Sequence, residues 1–356
     1  MKKNAALYDP YLDIMGGGEK HILSILKVLE DQGYNVSVFW NDNLTNEIQN
    51  KFKLNFEKLF FLPNIFTKTS PINKIKTLKR FDMFFYVTDG SYFFSPAKKN
   101  YIFCMVPDKN LYKMNTINKL KTINSHFISN SRYTQQWLAK WNVKSDVVYP
   151  YANEEFFNLN LDSPREKIIL SVGRFFPHLH AKKHDILIKT FLEFQKNNSD
   201  FTLVLAGGVK EEDKHYFEDL NKIIGSNKNI ILRPNIPYPE LLKLYKKAMF
   251  FWHFTGFGIN EALNPEMVEH LGMTPIEAMA SGVIPFCFNA GGLKEIIQNN
   301  NNGFLFSTQK QLLEQINLVL TNVALQKTIQ KNGREYAQRI FNYQEFKKNV
   351  IKLVSI

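Results

Sequence analysis

Cysteine is nearly absent. Cys104 and Cys287 are the only two in 356 residues. Both stand in apolar segments, IFCMV and IPFCF, so a disulfide framework is excluded and reduced core thiols are expected. No run reaches the roughly 18 consecutive apolar residues that a membrane span needs. Asp9 and Pro10 break the amino-terminal apolar stretch before it attains the length of a signal-peptide core, so a cytoplasmic protein is expected. The chain also lacks charged tails, a repeat of solenoid length and the G-x-G-x-x-G fingerprint of dinucleotide sites. Its one asparagine run, at 299–302, is too short to be more than a loop before Gly303.

What is present is the material of a large core. Hydrophobic residues make up 44% of the chain, with 31 Phe and 15 Tyr, enough apolar surface to offset the entropy of folding. The length exceeds one ordinary core and implies two domains. Lys and Arg outnumber Asp and Glu by 45 to 33, a formal charge of +12, and the excess is spread over both halves. That charge serves solubility, and it also favours polyanionic partners: phosphates, nucleic acid or an anionic membrane face.

Apolar segments of strand length alternate with helical patterns, which is the signature of parallel sheets covered by helices. The first half offers NAALYDP, YNVSVFW, FFYVTD, NYIFCMV, HFISNS and VKSDVVYP. The second offers KIILSVGR, FTLVLAGG, NIILRPN, MFFWHF, VIPFCFN and GFLF. Ile22, Ile25, Leu26 and Leu29 form one face of a helix that begins near Gly18 and stops at Gly33. Two doubly wound α/β domains follow, one over 1–160 and one over 161–335, joined in the Asn-, Pro- and charge-rich stretch YANEEFFNLNLDSPREK. Residues 336–356 are helical in pattern and are expected to return to the first domain.

Open parallel sheets bind ligands in the loops at the carboxyl ends of their strands. After the first strand, Gly16, Gly17 and Gly18 lead directly into a helix, where unpaired N–H groups face an anion or the glycines simply make a flexible turn. Asp42 imitates the ribose-binding acid of a dinucleotide site, but the glycine spacing opposes that use. After the first strand of the second domain, Arg174 and Lys182 share one loop. As fork and point charge they suit a diphosphate, and surface salt bridges are an equally good account. His178, His180 and His184 stand in the same loop beside lysines and without a carboxylate set, so solvated histidines are expected rather than a metal site. Farther on, Glu269 and Glu277 flank Gly272, with Pro275 near a helix start and Glu277 in its first turn. A dipole-complementing carboxylate accounts for Glu277 but not for Glu269, nor for the small residues Ala278, Ala280, Ser281 and Gly282.

The pattern EHLGMTPIE followed by AMASG, with VGR and a lysine upstream and AGG downstream, resembles the E-x7-E signature of retaining GT-B glycosyltransferases of family 4. GGGE near the start, SNSRYT, VVYPYANEEFF, LVLAGG, NIPYPELLKLYKKA and NAGGLKEII stand in the order of that family, so the resemblance covers nearly the whole chain. It implies the GT-B architecture, two Rossmann-like domains facing across a cleft, the first binding an acceptor and the second a nucleotide-sugar donor.

On that resemblance Glu277 accepts the ribose hydroxyls, and Glu269 faces the donor hexose as an electrostatic and positioning group. Backbone N–H groups of His270, Leu271, Gly272 and Met273 hold sugar hydroxyls or phosphate, with Gly16, Gly17 and Gly18 facing the donor from the first domain. Arg174 and Lys182, or Lys183 if the alignment shifts by one, neutralise the departing diphosphate without a metal or other cofactor. Many relatives place a histidine where this chain has Met105, so Met105, Asp108, Asp89 and Arg132 become the candidates on the acceptor or sugar side. His126 is expected to be structural. The implied reaction moves a hexose, with a slight preference for mannose, from a UDP- or GDP-sugar to a saccharide or lipid-linked acceptor in cell-surface glycan synthesis, with retention. Basic stretches such as INKIKTLKRFDMFF fit a peripheral position at the inner membrane face. The competing readings are a nicotinamide-dependent dehydrogenase on paired Rossmann domains and a non-catalytic nucleic-acid-binding module, and no nucleic acid is expected under the first reading.

Overall fold

The computed structural model describes residues 2–67, 69–161, 163–178 and 180–355, and these form two units. One comprises the chain up to Pro150 together with the segment from Phe346 onward; the other is Tyr151–Glu345.

The first unit holds a parallel sheet of β1 (Asn4–Tyr8), β2 (Asn35–Phe39), β3 (Leu59–Leu62), β4 (Met83–Val87), β5 (Lys99–Cys104), β6 (Ser125–Ser129) and β7 (Ser145–Val147). Their order is β3-β2-β1-β4-β5-β6-β7. Ala5, Ala6 and Leu7 of β1 have no exposed surface, as expected of a central strand covered on both faces. The helix Gly17–Asp31 lays fully buried Ile22, Ile25, Leu26 and Leu29 on the sheet, and Gly33, at φ +86°, turns the chain toward β2. Strand β3 is the one that pattern reading passed over. It has four residues, lies at the sheet edge and is only partly covered, so no fully buried apolar run marks it.

The second unit holds β8 (Glu166–Val172), β9 (Thr202–Gly207), β10 (Ile230–Pro234), β11 (Ala248–His253), β12 (Ile284–Phe288) and β13 (Phe304–Phe306), in the order β10-β9-β8-β11-β12-β13. This is the doubly wound dinucleotide-fold order, whose ligand crevice lies where the winding reverses, at the carboxyl ends of β8 and β11. Phe250, Trp252, Phe191, Phe201 and Phe286 fill the core around the sheet.

Two boundaries differ from the sequence reading. Residues 151–160, expected with the first domain, pack in the second unit. Ala152 N–H donates to the Phe341 carbonyl at 2.9 Å, Asn153 Nδ2 donates to Tyr238 Oη at 2.8 Å, and the Phe156 ring meets Tyr245 edge-on at 5.1 Å. The carboxyl-terminal stretch is two helices, Val323–Ile340 and Tyr343–Ser355, rather than one segment from 336. Asn342 starts the second by accepting the Glu345 N–H at 2.9 Å. Its later residues belong to the first unit, with Phe346 against His21 and the Val354 carbonyl accepting from Lys99 Nζ at 2.8 Å.

Candidate active site

The winding reversal of the second unit places three side chains on one another. Lys182, at the end of the loop after β8, sets Nζ 2.7 Å from Oε2 of Glu269. His253, the last residue of β11, sets Nε2 2.9 Å from the same oxygen. The glycines at the neighbouring strand ends make this possible. A Cβ on Gly173 would come within 2.5 Å of Lys182 Cγ, and one on Gly207 within 1.9 Å of the Gly173 carbonyl oxygen. Without them the lysine stem has no path over the sheet edge.

Burial acts to raise the pKa of the Glu269 carboxyl, but the Lys182 ammonium and the His253 hydrogen bond outweigh it and hold the group well below the usual carboxylate range. Glu269 is therefore an anion at neutral pH. Burial lowers the pKa of His253, with Glu269 opposing.

The backbone of 269–273 is held by the AGG turn. Gly292 N–H donates to the Glu269 carbonyl at 2.8 Å, and side chains on Gly291 or Gly292 would strike the Glu269 and His270 carbonyl oxygens at 2.1 and 2.2 Å. Gly272 adopts φ +103° and has Leu293 where a Cβ would stand, so its glycine identity answers backbone geometry and packing. Met273 opens the helix Met273–Ala280, whose first amides have no intrahelical acceptor. His270 and Leu271 are buried, and His270 Nε2 lies 3.1 Å from the Glu266 carbonyl.

Glu277 is the fifth residue of that helix, not a first-turn residue as expected, so helix-dipole complementation is not its reason. What holds it is Tyr245, a fully buried phenol that donates to Glu277 Oε2 at 3.1 Å. Burial, then the Glu277 charge, push the Tyr245 pKa far up, so it stays a donor.

Arg174 is exposed, with its guanidinium over the Phe176 ring at 4.4 Å, and has no carboxylate partner among the described residues. His180 senses Arg174, Lys182 and Glu269 together. Burial first, then His270 and Lys182, push its pKa down to about 3. The expectation of solvated histidines holds for His178 alone. His180 is half-buried and edge-on to His270 at 5.4 Å, while His184 is fully buried and stacked on Phe175 at 4.7 Å, because the loop folds back onto the sheet edge. Lys183 caps the helix His184–Gln195 in a left-handed conformation, φ +54°, and Lys182 is the lysine that reaches Glu269.

In the first unit, Gly16 N–H donates to Glu19 Oε2 at 2.5 Å, and the helix begins at Gly17. Gly18 leaves room for Met105, whose Sδ stands 2.0 Å from where a Cβ would be. The structure thus joins two separately chosen candidates, Gly18 and Met105. The Met105 carbonyl accepts from Asn130 Nδ2 at 3.1 Å, two residues before Arg132, which is exposed at a helix start. Asp89 is engaged by Tyr86 Oη and the Ser91 hydroxyl, each at 2.5 Å, and Asp108 Oδ1 accepts the Asn110 N–H at 2.8 Å; both acids serve their own turns. Sequence reading missed His253, which lies outside every motif, Tyr245, which stands in NIPYPELLKLYKKA without a role assigned to it, and Asp9. Asp9 is fully buried at the end of β1. Its Oδ1 accepts the Tyr11 N–H at 2.9 Å, its Oδ2 has no partner among the described residues, and burial and Glu19 push its pKa up to about 8.

A family model described as Glycosyl transferases group 1 matches residues 153–336, just over half of the chain. The chain belongs to this family. Among curated relatives of this group 1 chain is the GDP-Man:Man(3)GlcNAc(2)-PP-Dol alpha-1,2-mannosyltransferase of Dictyostelium discoideum, 28% identical over 206 residues that cover 54% of this chain and 38% of the relative. The chain thus spans less than half the length of that relative. Among solved structures, a glycosyltransferase from Rickettsia africae ESF-5 superposes with a TM-score of 0.76 at 17% identity, covering 99% of this chain and 97% of the other. Anabaena HepE in complex with UDP and glucose does so with 0.70 at 15% identity, covering 99% of each. These likenesses show the fold, which is GT-B with two Rossmann-like units. The dehydrogenase reading, which rested on paired Rossmann units alone, gives way to the group 1 family.

Proposed function

We propose that this chain is a retaining hexosyltransferase of family 4 that takes a nucleotide sugar, GDP-mannose foremost, to a lipid-linked saccharide in cell-surface glycan synthesis. The observation that carries the reading is the Lys182–Glu269 ion pair at the winding reversal of the second unit. A half-buried ammonium held by a carboxylate is poised for a diphosphate, which offers more charge and more acceptors than one carboxylate.

In this reading Arg174, which has no carboxylate partner among the described residues, joins Lys182 on the diphosphate. Glu277, oriented by Tyr245, accepts the ribose hydroxyls. The open amides at Met273 and its neighbours meet the phosphate or the sugar. The bond from the anomeric carbon to the diphosphate oxygen breaks, the acceptor hydroxyl oxygen bonds from the same face, and its proton leaves on the departing phosphate. Positive charge at the anomeric carbon faces Glu269, and negative charge on the leaving group faces Arg174 and Lys182. No metal is assigned a role, and activity in excess EDTA tests that. Mannose and a lipid-linked acceptor are supported by what the Dictyostelium relative is named for, and UDP as the alternative nucleotide by the UDP and glucose of the HepE structure.

No helix of the described residues is long and apolar enough to cross a membrane. A peripheral position is supported by the first unit's surface, where Ile117, Leu120 and Ile123 are 63%, 62% and 74% exposed on one short ridge that also carries Lys113, Lys119 and Lys121. Apolar tips interleaved with lysines fit an anionic lipid face.

The test is a panel of UDP- and GDP-sugars offered with a cell lipid extract, with products identified by mass spectrometry. A hexose added to a lipid-linked saccharide is expected. Salt-sensitive nucleic-acid binding without nucleotide-sugar protection or product would overturn the reading.

A further inference from the structure

His253 belongs to no motif, is 1% exposed and ends the strand beside the winding reversal. Its Nε2 meets the same Glu269 oxygen that Lys182 meets. Among the described residues no partner is found for the other oxygen, Oε1. Both donors fall on Oε2, which leaves Oε1 available to a further donor.

Only an imidazole protonated at Nε2 donates to that carboxylate. The groups around it keep the ring neutral. It is buried, Lys182 adds a positive charge, His184 is a neutral neighbour, and its register partner on β12 is Cys287, whose thiol burial holds protonated. Glu269 alone pulls the other way, and it is satisfied by a hydrogen bond. The ring plane is set by the strand and by stacking on Phe251, at 6.2 Å and 17°.

We propose that His253, as the neutral Nε2–H tautomer, is the positioning residue of Glu269, holding Oε1 toward the donor sugar when Lys182 turns to the diphosphate. This rests on the reading of the site as a donor site. A ligand competes with Glu269 for Lys182, which sits at the end of the loop after β8 and keeps part of its side chain exposed. It cannot compete for His253, which is sealed in the core. His253 is therefore the bond to Glu269 that persists through the reaction.

The test uses the full chain, with His253→Gln, which keeps an N–H near the position of Nε2, and His253→Leu, which does not. The Leu variant is expected to lose about tenfold or more in kcat, with donor KM and nucleoside diphosphate affinity within about twofold of the parent, and the Gln variant to recover most of the loss. Long-range 15N–1H spectra of the unsubstituted protein are expected to show His253 neutral and protonated at Nε2 at neutral pH. Equal loss in Gln and Leu, an unaffected Leu variant, or an Nδ1–H or charged ring overturns the proposal. If the unsubstituted protein turns over no nucleotide sugar, it is the donor-site reading that fails, and the spectrum still decides whether His253 holds Glu269.

Discussion

Lys182 and Glu269, 87 positions apart in the chain, meet at 2.7 Å over the carboxyl edge of the second sheet. Each stabilises the other's charge in a half-buried place, and removing either leaves its partner uncompensated. The Glu269→Gln variant is expected to bind nucleoside diphosphate within about threefold of the parent while its turnover falls about a hundredfold or more. Steady-state kinetics beside calorimetric nucleotide binding decides this. Parental turnover would remove Glu269 from the site.

Tyr245 and Glu277 divide a different task. Tyr245→Phe removes one hydrogen bond from a carboxylate in a buried setting, a loss of about 1–2 kcal/mol, or roughly five- to thirtyfold in nucleotide affinity. Glu277→Ala is expected to lose more. If Tyr245→Phe binds UDP and GDP as the parent does, the phenol does not orient Glu277.

Gly291 tests the backbone of the motif without touching a side chain of the site. Its φ is +61°, and a Cβ would stand 2.1 Å from the Glu269 carbonyl oxygen, an atom that cannot swing aside. Gly291→Ala is expected to cost about 2 kcal/mol or more in denaturant unfolding and to lower turnover, because the collision displaces Glu269. An unchanged midpoint and rate would show that the turn yields freely.

Asp9 sets a pH dependence of stability in the first unit. Its carboxyl is pushed up to about 8 by burial and Glu19, against about 3.9 in an unfolded chain. Between those values the folded state binds more protons than the unfolded one, so stability falls as pH rises from about 4 to 8 and is level beyond. Glu269 has the opposite sign. Its folded value is depressed, so its contribution is present above about 4.3 and is lost as pH falls through the folded value. Asp9→Asn keeps an acceptor for the Tyr11 N–H and is expected to flatten the decline in Tm toward pH 8. An identical slope in the variant would refute the assignment.

The ridge of the first unit is tested by Ile117→Ser, Leu120→Ser and Ile123→Ser together. Sedimentation with phosphatidylglycerol-containing vesicles is expected to weaken by at least about tenfold, since three exposed apolar side chains lose their lipid contact. Parental sedimentation would place membrane contact elsewhere or nowhere.

Local pattern carried the strands, because a parallel strand buried on both faces must be apolar throughout whatever it packs against. The central strands β1, β4, β5, β8, β9, β11 and β12 were legible for that reason, while the edge strands β7 and β10 were legible from short apolar runs beside them and the edge strand β3 was not. The glycines before the helices and the spacing of Glu269 and Glu277 were legible too. The sequence by itself thus determined two doubly wound units and which loops stand at their carboxyl edges. It did not contain the partners. His253 reads as one more residue of an apolar strand, Tyr245 as one more aromatic on a helix, and Asp9 as a turn residue. Each acquires its role from a neighbour 16 or 32 positions away, or from burial beside Glu19. Hydrogen bonds and charge shifts act over a few ångströms in space, whereas periodicity reports only along the chain. Which oxygen of Glu269 is held, and by what, was therefore decided by the tertiary structure alone.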